Sequence, residues 1–498
     1  LPNRFRLDER ASGVLLHPTS LPGPHGSGDL GDHAYRFVDF LAEAGQRWWQ
    51  MLPTGPADQH GCPYSAYSAF AGDPNLISLS RLHQDGLLSR AELGSMKVAD
   101  PARVDYGAMR RFRQARLDQA FSRFRTRPAR NRAALDRFRA RNESWVDDWA
   151  LFSALRDANG GRHWWKWPPG IRQRRVGELR SARKELADEI LFHTFLQFQF
   201  ERQWSALKEY GENQGVGLIG DVPIFVAHDS CDVWVEPKLF RLRANGTPSV
   251  VSGAAPDAFS KTGQLWNHPL YDWKAHREDR YSWWVRRFRH GLTQFDAVRI
   301  DHFLGFSRYW EVPVSHLDAQ RGRWRKGPGA DLFLALEREL GKVPIIAEDL
   351  GLVTPDAIAL RDRFGYPGMR VLQSGFESED NEHLPHNYPT HCVAYTGTHD
   401  NDTVRGWFAN SHLSERTRAL SYTGGSARTI HWDMIRVTLG SVAMMAILPL
   451  QDILGLDSDA RMNLPATLRG NWTWRFRSGQ LSRRIARRLR EQVALFGR

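Results

Sequence analysis

Eight short apolar runs recur along this chain, most followed by a stretch long enough for a helix, and that alternation constrains the fold more than any other feature. They begin near Gly13 (GVLLHPTS), Trp48 (WWQMLP), Gly217 (GLIGDVPIFV), Ala297 (AVRIDHF), Val343 (VPIIAED), Met369 (MRVLQ), Cys392 (CVAYTGTHD) and Val442 (VAMMAILPLQ). Strands alternating with helices predict an α/β fold with a parallel sheet, since a parallel neighbour is reached only through a long crossover. Eight of them suit a closed (β/α)8 barrel, and an open doubly wound sheet equally well; periodicity does not choose between the two. Residues 54–216 are far too many for a simple crossover. They open with a tyrosine-rich loop and continue through helical-looking segments, so 54–210 reads as an inserted, mainly helical subdomain. Residues 1–53 then hold strands one and two, and 211–498 hold the other six. Within the latter, 245–273 is rich in Gly, Pro, Ser and Asn and reads as a long loop over one barrel mouth.

Composition removes several classes of function. The formal net charge of +12 raises nucleic-acid binding, but much of the excess lies in helical-looking segments, Arg103–Arg141 and Arg475–Arg498. In the second, Leu481, Ile485, Leu489 and Val493 recur every four residues with arginines between them, the pattern of an apolar stripe on the body and an arginine face in water. No nucleic-acid motif accompanies the charge. The most apolar stretch, Val442–Leu450, is too short for a membrane span and contains Pro449. The polar N-terminus lacks the apolar segment of a secretory signal. Three cysteines, Cys62, Cys231 and Cys392, give neither a disulfide framework nor zinc spacing, so the cytoplasm is the expected compartment. The run Gly26-Ser-Gly28-Asp-Leu-Gly31 matches G-x-G-x-x-G, yet Pro18, Pro22 and Pro24 separate it from its strand, so no dinucleotide is expected. Without a phosphate-binding loop, H-E-x-x-H, calcium loop or G-x-S-x-G elbow, neither metal nor cofactor is predicted.

The carboxylates carry the positive signal. Asp221, Asp301, Glu348, Asp349 and Asp400 all fall at or just after the carboxyl ends of predicted strands, which in a barrel converge on one face. In AVRIDHF, Arg299 and Asp301 share one face of the strand while Val298 and Ile300 share the other. A guanidinium beside a carboxylate favours the charged form, which suits a nucleophile; a buried ion pair bracing the barrel accounts for the same two residues equally well. Glu348 ends an apolar strand, where burial favours the protonated form that a general acid needs. YTGTHDNDT ends its strand in a polar cluster with His399 beside Asp400. Two carboxylates flanking a glycosidic bond are the minimal equipment of glycoside chemistry, and a spacing of about 5–5.5 Å gives retention; sequence supplies the carboxylates without the spacing. Loop aromatics point the same way: Tyr64 and Tyr67 in GCPYSAYSAF, and Trp266, Tyr271 and Trp273 in GQLWNHPLYDW, are rings on which flat sugar faces stack.

These segments resemble glycoside hydrolase family 77, the amylomaltase-type 4-α-glucanotransferases of the α-amylase clan. The resemblance runs in order through GVLLHPTSLPGPHGSGDLG, LPTGPADQHGCPYSAYSAFAGDPNLISL, GDVPIFVAHDSCDVW, PDAFSKTGQLWNHPLY, FDAVRIDHFLGF, IIAEDLG, YTGTHDNDT and LQDILGLDSDARMN. It implies a (β/α)8 barrel without a C-terminal β-domain, acting on α-1,4-glucans, maltooligosaccharides and glucose with no cofactor. It further implies Asp301 as nucleophile, Glu348 as general acid/base and Asp400 as transition-state stabiliser. Arg299, His399, Asp221, Trp266 and Tyr64 fall where the family binds substrate. Two departures stand out: Cys62-Pro63-Tyr64 where the family usually has Ser-Pro-Tyr, and Ala258 where a tyrosine is common. An amylase-like hydrolase and a non-catalytic glucan-binding barrel are the rival readings, the second disfavoured because all three carboxylates are present.

Overall fold

The computed structural model describes residues 4–126, 129–256, 260–467 and 469–498, so the departure at Ala258 lies outside the described residues. Its strands are β1 (Ala11–Leu15), β2 (Trp48–Gln50), β3 (Gly217–Val222), β4 (Val250–Ala254), β5 (Gln264–Pro269), β6 (Ala297–Ile300), β7 (Arg308–Pro313), β8 (Arg323–Lys326), β9 (Ile345–Ala347), β10 (Gly368–Val371), β11 (Cys392–Tyr395) and β12 (Met445–Pro449). Eight of these form one parallel sheet in the order β10-β11-β12-β1-β2-β3-β6-β9. They are the eight apolar runs of the sequence. Every residue of β1, β2, β6, β9, β10, β11 and β12 is buried, because helices cover the outside and side chains fill the inside. The two ends of the strand order meet. Ala347 N donates to Pro367 O at 2.9 Å, and Met369 N donates to Asp349 Oδ1 at 2.7 Å. Arg361 clamps the same Asp349 carboxylate, so this aspartate closes the barrel between β9 and β10.

Between β2 and β3 the chain is helical, with helices including Tyr106–Arg125, Ala129–Arg141, Val146–Ala158 and Val176–Glu185. The last helix of this stretch, Ala187–Asn213, packs against Val146–Ala158 and also against the barrel helix Asp32–Glu43 and β3. It is a scaffold for the insertion and part of the barrel wall at once, and the expected boundary at 210 falls within it.

The segment 245–273 is not the irregular loop expected from its composition. It contains β4 and β5, which join β7 and β8 in an antiparallel sheet ordered β5-β4-β7-β8. VVSGA and QLWNHP are too short to announce themselves; β4 pairs with β5 through an irregular register and with β7, which lies beyond β6 in sequence. One face of this sheet buries Val251, Val312 and Ala319, with Leu265 and Trp310 packed on them. On the other, the fully buried Glu311 carboxylate is held by Arg241, by Arg323 at 2.8 Å and by Arg325 at 3.1 Å.

The G-x-G-x-x-G run lies in a loop whose carbonyls converge on two buried arginines. Arg113 donates to His25 O and Ser27 O, and Arg475 to Leu21 O, Gly23 O and Gly26 O. A phosphate-binding loop presents N–H groups; this one presents carbonyls to cations. A Cβ at Gly28 would lie 2.0 Å from Pro18 O, so close packing accounts for that glycine. The final helix, Arg483–Leu495, buries Ala486, Leu489 and Val493 against helices Asp32–Glu43 and Ile430–Gly440, leaving its arginines outward. Among the described residues no helix is long and apolar enough to cross a membrane.

Candidate active site

Seven of the eight predicted site residues (Tyr64, Trp266, Arg299, Asp301, Glu348, His399 and Asp400) line a single cleft of about 1650 Å3 at the carboxyl ends of the barrel strands. Asp221, late in β3, lies just behind Arg299. Strand-end backbone bonds fix the carriers. Asp301 N donates to Val222 O at 3.0 Å, and Glu348 N donates to Ile300 O at 3.1 Å. The ends of β3, β6 and β9 therefore advance together, and side chains from three separate parts of the sequence share one floor.

Arg299 organises that floor. Its Nη1 lies 2.9 and 2.7 Å from the two Asp221 oxygens and 3.0 Å from Asp301 Oδ1. The Asp221 side chain is wholly buried, whereas Asp301 is 28% exposed towards the cleft. Burial pushes the Asp221 carboxyl upward while Arg299 opposes it, and the carboxylates around Arg299 hold its guanidinium well above the usual range. Tyr64 Oη donates to Asp221 Oδ2 at 2.7 Å and lies 2.9 Å from His399 Nε2, with the two rings stacked at 5.3 Å. Tyr64 is thus the hinge of a network running from Arg299 to His399.

Glu348 is placed differently. Burial lifts its carboxyl to about 7; Arg299 pulls down, Asp301 pushes up, and the backbone N–H groups of Leu350 and His302 pull down. Those N–H groups donate at 2.9 Å to Oε1 and 2.6 Å to Oε2. His302 itself adopts the left-handed conformation, φ 51° and ψ 54°. A non-glycine residue there costs roughly 1–2 kcal/mol. Trp266, on β5, meets the His302 ring edge-on at 4.8 Å and closes the cleft above it.

Asp400, 43% exposed, follows β11. Its Oδ1 accepts from Asn463 Nδ2 at 2.6 Å, its carbonyl accepts from Arg461 at 2.5 Å, and His399 Nε2 lies 3.3 Å from Oδ2. Asn463 and Arg461 went unnoticed in the sequence. They belong to the segment after β12, one of four barrel strand ends, with those of β1, β2 and β10, at which no carboxylate had been singled out. Of the other loop aromatics, Tyr271 is core: it is 1% exposed and donates to Ile224 O at 2.8 Å. Trp273 packs on Tyr271, and Tyr67 accepts from Arg156 at 3.0 Å. None of these three lines the cleft.

A closed barrel with a buried arginine between two aspartates, a protonatable glutamate and stacked aromatics in one long cleft defines a carbohydrate-active (β/α)8-barrel enzyme. A family model described as 4-alpha-glucanotransferase matches residues 16–481. The 4-alpha-glucanotransferase of Thermus thermophilus is 46% identical over 495 residues, 97% of each chain. The chloroplastic/amyloplastic 4-alpha-glucanotransferase of Solanum tuberosum is 43% identical over 509, spanning 100% of this chain and 88% of its own. Among solved structures, the amylomaltase from Streptococcus agalactiae in complex with acarbose matches with a TM-score of 0.96 at 37% identity, covering 98% of this chain and 100% of that one. The chain belongs to glycoside hydrolase family 77, the 4-α-glucanotransferases.

Proposed function

We propose that this chain transfers segments of α-1,4-glucans to the 4-hydroxyl of glucose or a maltooligosaccharide by double displacement, with Asp301 as nucleophile, Glu348 as acid/base and Asp400 as stabiliser. The observation that carries the reading is the contrast between two cleft carboxylates. Asp301 faces a fixed guanidinium at 3.0 Å, while burial lifts Glu348 to about 7. One is equipped to attack, the other to hold a proton. In the first step Glu348 gives its proton to the leaving glycosidic oxygen as Asp301 bonds to the anomeric carbon, and the C1–O4 bond breaks. In the second, an acceptor 4-hydroxyl gives its proton to Glu348, its oxygen bonds to the same carbon, and Asp301 leaves as a carboxylate. Both displacements invert, so the α configuration is restored.

Asp400 with His399 is suited to grip sugar hydroxyls as the ring flattens, and Trp266 and Tyr64 to stack on the glucan. Asp221 serves through Arg299, fixing the guanidinium against the nucleophile. The cytoplasm suits a chain whose three cysteines are all free thiols.

The test is incubation with maltotriose alone. Transfer gives a ladder of longer maltodextrins and free glucose with little net gain in reducing ends; shorter sugars with rising reducing ends would mark a hydrolase instead. Asp301→Asn should abolish both while leaving the melting curve in place. Near-normal turnover by that variant would remove Asp301 as nucleophile.

A further inference from the structure

The loop that carries His399 and Asp400 runs from the end of β11 to the helix Val404–Asn410, and both of its ends are tied to one buried side chain. Asp452, 1% exposed, sits in the short helix Leu450–Leu454 directly after β12. Its Oδ2 accepts from Thr396 Oγ1 at 2.6 Å, and its Oδ1 accepts from Val404 N at 2.8 Å. The remaining ties come from the segment that follows Asp452. Ser458 Oγ donates to Asp402 Oδ2 at 2.6 Å, Asn463 N donates to His399 O at 3.1 Å, and Asn463 Nδ2 and Arg461 reach Asp400 itself. Asp452 is thus where the Asp400 loop and the segment that orients Asp400 are joined. A space of about 20 Å3 adjoins the loop, lined by residues including His17, Leu52, His399, Asp452 and Met462.

We propose that Asp452 is a positioning residue for the transfer reaction, holding Asp400 at its working place by bridging Thr396 and Val404. The proposal rests on the reading of Asp400 as stabiliser. Two features make it specific. The carboxylate spends one oxygen on each end of the loop, so losing it frees both ends together. Its partners are a hydroxyl and an amide N–H, neither charged, so the bridge works through hydrogen bonds and not through an ion pair. A carboxamide can keep both contacts with one reversed: the amide oxygen of asparagine accepts from Val404 N, while its NH2 donates to Thr396 Oγ1, which must then turn its own proton elsewhere.

The experiment is steady-state kinetics on maltotriose with Asp452→Ala, Asp452→Asn, Thr396→Val and Asp400→Ala, each checked by thermal melting. With Asp400 displaced, the transition state loses more than the ground state. Asp452→Ala is expected to lower kcat 10–100-fold with KM within threefold, the scale of misplacing a group by about 1 Å. Asp452→Asn should lose less than a third as much as the alanine variant. Folded Asp452→Ala protein whose kcat stays within threefold of wild type overturns the proposal. So does an asparagine variant as impaired as the alanine, since charge and not bridging would then be at work. Should the alanine variant not fold, Thr396→Val decides, because it breaks one tie and leaves the carboxylate bonded to Val404. A kcat loss beyond threefold at unchanged Tm supports the proposal, and a smaller one overturns it. Asp400→Ala separates the two layers: if it stays active, the stabiliser reading fails; if it is inactive while Asp452→Ala is not, only the proposal fails.

Discussion

Replacing Arg299 should separate stability from catalysis, because one nitrogen serves two aspartates with different tasks. In Arg299→Met, Asp221 keeps a fully buried side chain and loses the cation at 2.7 Å. Breaking a buried pair by removing one partner costs about 3–5 kcal/mol at neutral pH. With an unfolding entropy of about 2.1 cal/mol/K per residue, a chain of this length unfolds with roughly 1 kcal/mol/K, so Tm should fall by about 3–5 °C. The sign with pH follows from Asp221. Without the guanidinium its folded-state carboxyl rises further above the unfolded value, so the deficit grows as pH increases through that raised value and shrinks near pH 5. Adding Asp221→Asn removes the stranded charge and should restore most of the lost Tm at neutral pH. Activity should not return, because Asp301 still lacks its partner at 3.0 Å. The assay is a pair of melts, at pH 5 and pH 7.5, beside kcat on maltotriose for wild type, single and double variants. A double variant no more stable than Arg299→Met would refute the buried-charge reasoning, and one that regains activity along with stability would refute the separate role of Asp301.

Two further outcomes follow from named groups. With Glu348, raised from 4.5 to about 7, as the proposed acid, kcat/KM should fall as pH rises through about 7; a flat profile to pH 9 would remove it as the acid, and the same shift makes stability decline as pH rises from 4.5 to 7. Arg475→Met strands three carbonyls of the Leu21–Gly26 loop and should lower Tm by about 3 °C, with turnover per folded molecule unchanged because the residue lies outside the cleft; a melt within 1 °C of wild type would show that water replaces the guanidinium.

The barrel was legible because its strands are buried on both faces and so read as continuous apolar runs. Met445–Pro449 needed no alternation to be recognised. The antiparallel sheet was not, because β4 takes one partner, β7, from beyond β6 and meets the other, β5, through a broken register, so neither strand carries a periodic mark. Strand ends located the site but did not rank its carboxylates. Glu348 and Asp349 are adjacent, yet one faces the cleft and the other closes the barrel through Met369 and Arg361. Asn463 escaped notice because it sits far from its strand end, and an asparagine in a loop is ordinary turn chemistry.

The antiparallel sheet has one more consequence. It enters the chain just before β6 and is completed just after it, so its four strands form one plate grafted around that strand. The face holding Glu311 and its three arginines is an electrostatic rivet, while Leu265 and Trp324 project into the glucan cleft. Such a plate can exchange its cleft-side residues without disturbing β6 beneath it. Changes in chain-length preference are therefore expected there, on a surface that can vary while its mount stays in place.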